Sequence, residues 1–215
     1  MGIKELYNMK KIYNNVILGK NVEIGDFVVI GKPPKGKKDG ELKTVIGDNS
    51  VIRDHTIIYS GNKIGNNFQT GHHVLIRENN DVGNDVMVGS FSEIAFETKI
   101  GNNVSFHSDC KIYEKTIIED DAKFNPGVYI LNTKYPYIPG QKPKIDNCII
   151  RKNARVGAKV VLMPGIELGE WCLIGAGSLV TKNVPKYSIV YGRPAIVKGD
   201  IRELKNPDGT QAYKV

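Results

Sequence analysis

From Ile46 to Ile130 one chemical class returns at every sixth position: Ile46, Ile52, Ile58, Ile64, Thr70, Ile76, Val82, Val88, Ile94, Ile100, Phe106, Ile112, Ile118, Phe124 and Ile130, with only Thr70 not apolar. The same phase resumes at Ile150, Val156, Leu162, Leu168, Ile174 and Val180, and it is foreshadowed by Leu18, Ile24 and Ile30. A step of six fits neither the 3.6 of an α-helix nor the plain alternation of a strand, and a fixed internal repeat of this kind specifies a solenoid.

The remaining hexad positions explain its shape. Four residues after each guide residue the side chain is mostly small or β-branched, as at Ser50, Thr56, Val74, Val86, Ser92, Val104, Cys110, Ala122, Ala154, Val160, Cys172 and Ser178. Alternation along a strand turns these inward as well. Three residues after the guide stands Asn, Asp or Gly in most hexads, including Asn49, Gly61, Asn67, Asp85, Asn103, Asp109, Gly127, Gly177 and Asn183. These residues tolerate positive φ, so the chain turns a corner there. Three short strands and three corners close a triangular coil, and coils stacked at roughly 4.8 Å pair each strand with those above and below. The reading is an all-β parallel β-helix of about eight coils, with two loop excursions and a short C-terminal tail.

Hexads such as Ile64-Gly65, Val82-Gly83, Val88-Gly89, Ile100-Gly101, Val156-Gly157, Leu168-Gly169 and Ile174-Gly175 resemble those of the left-handed β-helix acyltransferases. The handedness is an implication of that resemblance, which covers about residues 16–198. One repeat phase from end to end makes the 215 residues a single domain. Its expected parts are an N-terminal cap over 1–15, coils over 16–130 and 150–185, an excursion over 131–149 and a C-terminal extension over 186–215.

Composition narrows the setting. The three cysteines, Cys110, Cys148 and Cys172, fall on the small inward phase and read as buried fillers rather than a disulfide framework. No signal peptide and no apolar run of transmembrane length is present, which predicts a cytoplasmic protein that does not enter a membrane. The net charge of +7 does not form an aromatic-interleaved basic face, so nucleic acid is not the expected partner. Basic residues gather instead at Lys32 to Lys43 and at Lys134 to Lys144, continuing to Lys152 and Arg155. Such runs are either a solvated surface or a place for the phosphates of small ligands.

Both runs fall in interruptions of the repeat. The second, Leu131 to Asn147 with Asn132, Lys134, Tyr135, Pro136, Tyr137, Pro139 and Pro143, is long for a compact repeat protein and is placed beside the active site. His55 and His73 occupy corner positions one coil apart, where histidine tolerates positive φ. His72 points outward. His107 occupies the phase where glycine is commonest and is the histidine that the fold explains least. Around it, Phe106-His107-Ser108-Asp109-Cys110-Lys111-Ile112-Tyr113-Glu114 gathers an imidazole with two carboxylates, and an imidazole oriented by a carboxylate accepts a proton from an attacking amine or hydroxyl. The candidate catalytic set is therefore His107, Asp109, Glu114 and His73. Arg77 joins Asn132, Lys134 and Tyr135 on the substrate side.

The run Ile150 to Ala158, then Leu162 to Gly169, Ile174 to Lys182 and Val190 to Ala195, resembles the coenzyme-A-binding coils of hexapeptide acetyltransferases. The resemblance implies that Gly157, Ala158, Gly175, Ala176 and Lys182 line a pantetheine channel between subunits of a homotrimer. It places Arg193 and Pro194 near the nucleotide end, with Arg193 where Asn is usual. Ile118 to Asn132 resembles acetyltransferases acting on amino sugars linked to a nucleoside diphosphate, although Asn125-Pro126-Gly127 stands where Gly-Pro-Asn is usual. Transfer of an acetyl group from acetyl-coenzyme A to such an amine is thus the expected activity, and a hydroxyl acceptor its rival. A scaffold without chemistry and a zinc enzyme like the γ-class carbonic anhydrases are weaker alternatives. The zinc enzymes carry histidines five apart, and Ile112 stands where the partner of His107 would be, so no metal is expected.

Overall fold

The computed structural model describes residues 9–135, 139–140, 144–213 and 215. Strands of mostly two residues wind into a left-handed parallel β-helix with three flat faces. The first face has nine strands, from Lys11–Ile12 to Leu179–Val180; the second has eight, from Val16–Leu18 to Glu167–Leu168; the third has ten, from Glu23–Ile24 to Ser188–Gly192 and Ala195–Asp200. Successive coils pair in register, so Ile76 lies over Ile58 and under Ile94.

The guide residues form one continuous core. Ile46, Ile58, Phe106, Phe124, Ile130 and Leu168 are fully buried, each such side chain contributing about 1.5–3 kcal/mol. Thr70 is buried too, and its hydroxyl is satisfied by the Arg53 N–H at 2.9 Å and the Thr56 hydroxyl at 3.2 Å. The three cysteines are likewise fully buried. At the same inward phase stand larger groups than the pattern suggests, namely Asn62, Phe68 and Asn80.

Corners take the positive φ that the Asn, Asp and Gly residues imply, for example Asn67 at 57° and Asp85 at 58°. Bulkier residues share that conformation, Phe91 at 63° and Trp171 at 56° among them. Asn183 does not; its side chain instead accepts the Glu167 N–H at 2.9 Å.

Pairing extends beyond both ends of the coil region expected from the hexads. Lys11–Ile12 already pairs with Val29–Ile30, which brings the nine-stranded face one coil past the expected eight. Ile12 is in phase but 47% exposed, since a terminal coil has a neighbour on one side only. Residues 1–8 of the expected cap lie outside the described residues. At the other end Ser188–Gly192 continues the third face beside Leu173–Ile174, and Ala195–Asp200 folds back against it antiparallel. Among the described residues no helix is long and apolar enough to cross a membrane.

Candidate active site

Coils repeat every 18 residues, stretching to 28 across the first interruption and to 32 across the second. With those offsets every corner residue falls on one of three edges. All four histidines of the chain, His55, His72, His73 and His107, lie on the edge between the third and first faces, here the histidine edge. Both interruptions leave the edge between the first and second faces, the excursion edge. The edge between the second and third faces carries a ladder of side-chain acceptors, in which Asn66, Asn84, Asn102 and Asp120 each cap a backbone N–H one coil away at 2.7–2.9 Å.

On the histidine edge His73 is stacked flat between His55 and Phe91, with centroids 4.6 and 5.2 Å away, and Phe27 continues the column beyond His55. His73 is therefore a rung of an aromatic ladder two coils from His107. The His107 main chain is held by Phe124 O and the Ser92 hydroxyl. Its exposed ring makes no hydrogen bond among the described residues. Asp109 turns toward the first face, where the Tyr129 hydroxyl donates to it at 3.4 Å and Lys111 Nζ stands 3.8 Å away. Its carboxylate raises the Tyr129 hydroxyl above its ordinary value, after the larger contribution of burial. The histidine that does have a carboxylate partner is His72, whose Nδ1 lies 3.7 Å from Asp54 Oδ2; Asp54 Oδ1 is fixed by the Asp26 N–H at 2.9 Å. Counting by coils rather than along the chain would have found this pair.

Gly157, Ala158, Gly175 and Ala176 occupy the same edge, their first coil two beyond that of His107. A Cβ on Gly157 would stand 2.6 Å from Ala176 N, so glycine lets adjacent coils touch. Arg193 and Pro194 form the turn that closes over this end, and Arg193 Nε donates to Gly177 O at 2.8 Å. Lys182 is not with them; it follows Leu179–Val180 onto the excursion edge.

That second edge gathers the rest. The Asn132 amide, nearly buried, donates to the Glu114 carboxylate. Arg77 is two coils from Glu114 and three from Asn132, paired with Glu78 through two contacts of 2.9 Å and lying 5.1 Å from the Tyr59 ring and 5.8 Å from that of Phe96. Lys134 lies over the exposed Tyr135 ring at 5.5 Å, outside the coils. Pro136, Tyr137 and Pro143 lie outside the described residues. Thus Glu114 and Asn132 meet each other but not His107, because they stand on different edges. Among the described residues no three His, Cys, Asp or Glu side chains gather as a metal ion would require.

Repeat, coil and face define the fold class, a left-handed parallel β-helix built on six-residue repeats. Residues 147–182 match the family described as bacterial transferase hexapeptide (six repeats). A stretch of 51 residues is 45% identical to the dTDP-3-amino-3,6-dideoxy-alpha-D-galactopyranose 3-N-acetyltransferase of Aneurinibacillus thermoaerophilus, covering 24% of this chain and 27% of that protein. Over 90 residues the chain is 32% identical to the galactoside O-acetyltransferase of Lactococcus lactis, covering 40% and 44%. Both alignments thus span less than half of the relative. The solved structure of the polySia-specific acetyltransferase NeuO superposes with a TM-score of 0.54 at 20% identity, over 90% of this chain and 87% of that one, and shares the fold.

Proposed function

We propose that the protein is an acyl-coenzyme-A-dependent enzyme that transfers the acetyl group of acetyl-coenzyme A to the amine of a nucleotide-linked amino sugar, working in the cytoplasm as a homotrimer. The observation that carries this reading is the histidine edge, where His107 stands in one column with Gly157 and Gly175. A pantetheine arm laid along those glycines points its thioester toward His107. The acceptor amine attacks the thioester carbonyl, the thiolate leaves, and the proton passes from nitrogen to the His107 ring. The placement of the candidate residues on two edges supports assembly of several copies. Glu114, Asn132, Arg77, Lys134 and Tyr135 stand on a different edge from His107 within one prism, and in the proposed trimer a neighbouring copy presents its excursion edge to complete the pocket.

The amino-sugar relative supports an amine acceptor. A hydroxyl acceptor is the second reading, favoured by the galactoside O-acetyltransferase likeness and by the greater need of a hydroxyl for a base. Thiol release from acetyl-coenzyme A, measured against amino-sugar nucleotides and their hydroxyl counterparts, separates the two. Release only with hydroxyl sugars overturns the amine; no release with either, and no coenzyme binding by calorimetry, leaves a scaffold.

A further inference from the structure

Charges that face each other across neighbouring coils alternate in sign at three rungs: Lys63 opposite Asp81, Asp81 opposite Lys99, and Glu93 opposite Lys111. One rung breaks the rule. On the third face Lys123 lies directly opposite Arg155, and like charges so placed destabilise a sheet. Among the described residues neither cation has a carboxylate within ion-pair distance. Lys123 Nζ donates to Asn103 O at 2.5 Å and to its Oδ1 at 3.0 Å. Arg155 donates to the carbonyls of Asp121 at 2.5 Å and Ala154 at 3.3 Å, and its guanidinium sits 5.4 Å from the Trp171 ring. The nearby Asp121 carboxylate is committed to the Asn103 amide at 2.7 Å. Burial pushes both cations below their ordinary values, and Arg155 adds to the depression of Lys123, while Asp121 works against it.

We propose that this rung is a phosphate site, at which Lys123 and Arg155 together take a phosphate group of a phosphorylated ligand. A guanidinium fork beside an ammonium matches a tetrahedral oxyanion, and half-burial strengthens the attraction. An anion arriving there removes the repulsion that the chain otherwise carries. Arg155 precedes Gly157 by two residues, so alternation puts both on the outer surface of the same coil. The heads of both cations lean the other way, to the edge between the second and third faces where Asn103, Asp121 and Trp171 stand, so the phosphate lies across the third face from the edge assigned above to the coenzyme. The owner of the phosphate, either coenzyme A or the nucleoside diphosphate of the sugar substrate, rests on the proposed acetyl transfer; the site itself does not.

Calorimetry and thermal melting of the full chain with inorganic phosphate, coenzyme A, dephospho-coenzyme A and a nucleoside diphosphate test it, alongside Lys123→Gln and Arg155→Gln. Inorganic phosphate is expected to raise the melting temperature of the unaltered chain. Each variant should bind the owner about tenfold more weakly and, without ligand, melt no lower than the parent, because the like-charge contact is relieved. A loss of affinity confined to coenzyme A, and mimicked by dephospho-coenzyme A, assigns its 3′-phosphate; a loss confined to the nucleoside diphosphate assigns the sugar nucleotide. No response of the unaltered chain to phosphate, or variants that keep affinity for every ligand within about twofold, overturns the proposal. So does a pair of variants that melt lower yet keep the phosphate response, since that is the signature of a structural role. Absence of acetyl transfer leaves the inorganic phosphate result standing, so the two readings fail separately.

Discussion

The histidine edge and the excursion edge close the same three-residue corner in different ways. On the histidine edge the first corner position is usually glycine, as at Gly25, Gly71, Gly89, Gly157 and Gly175, because the next coil presses against it; a Cβ on Gly89 would stand 2.5 Å from the His107 carbonyl carbon. On the excursion edge the same position holds Gly31 where the first interruption begins, and then Tyr59, Arg77, Ala95, Tyr113, Leu131 and Met163. There the turn is held from inside. Asn62 and Asn80, both buried, donate to Arg77 O at 2.8 Å, and their side-chain oxygens accept the N–H groups of Asn80 and Thr98 at 2.9 and 2.7 Å. A corner pinned from the interior leaves its outer surface free for large side chains and for inserted chain. A corner pinned by glycine contact stays a smooth groove.

The strongest way to break this contrast is chemical. His107→Asn should lower turnover by about 10² to 10⁴ with coenzyme affinity unchanged, read from thiol release and calorimetry. A loss under about threefold, against that range, would mean that water or the leaving thiolate takes the proton and that the histidine edge supplies position alone. The rate should then still rise with deprotonation of the acceptor amine, and Asp109 and Glu114 are the next residues to change.

Stability should divide along the same line. Gly89→Ala drives a methyl into backbone and is expected to cost about 2–4 kcal/mol by equilibrium denaturation. The reverse change on the excursion edge, Ala95→Gly, should cost under about 1 kcal/mol. Equal effects would refute the idea that, of these two edges, the histidine edge is the one closed by glycine contact. Asn80→Ala, which removes the acceptor of the Thr98 N–H inside the excursion edge, should cost about 2 kcal/mol, and a neutral result would show that the amide ladder is dispensable.

The smallest effect uses the three buried thiols, one of which lies under each edge: Cys110 inside the histidine edge, Cys148 inside the excursion edge and Cys172 inside the third. Burial pushes Cys110 up to about 11 and Cys172 up to about 12 from 9.0, and raises Cys148 as well. A thiol raised in the folded state keeps its full stabilising contribution below the unfolded value. The contribution is then lost as pH climbs from 9.0 toward those raised values, because the unfolded chain ionises first. Folded protein should resist alkylation at pH 8, and under mild denaturant Cys148 should react before Cys110, since its edge is broken by an excursion. Reaction in the opposite order would reverse the ranking of the two edges.

The step of six, the inward small residues and the corner residues were all readable from the chain, because each reports a local demand on backbone or volume. Residues 64–67, Ile-Gly-Asn-Asn, contain one turn's requirements within four positions. The edge to which a corner belongs is a different kind of fact. It depends on where strands pair again after an interruption, Val16 with Thr44 and Ile117 with Ile149, and neither loop states its own length in coils. For that reason the sequence brought Glu114 near His107, seven residues away, while the fold sets them on separate edges. It left His72 and Asp54, and Lys123 and Arg155, unconnected, although the fold stacks each pair on neighbouring coils. Side-chain direction was also decided in three dimensions: Asp109 turns to Tyr129 and Lys111 because those partners arrive on the first face, one from the following coil and one from its own. Hydrophobic period is a property of neighbours along the chain, whereas coil-to-coil pairing is set by contacts between residues eighteen or more apart.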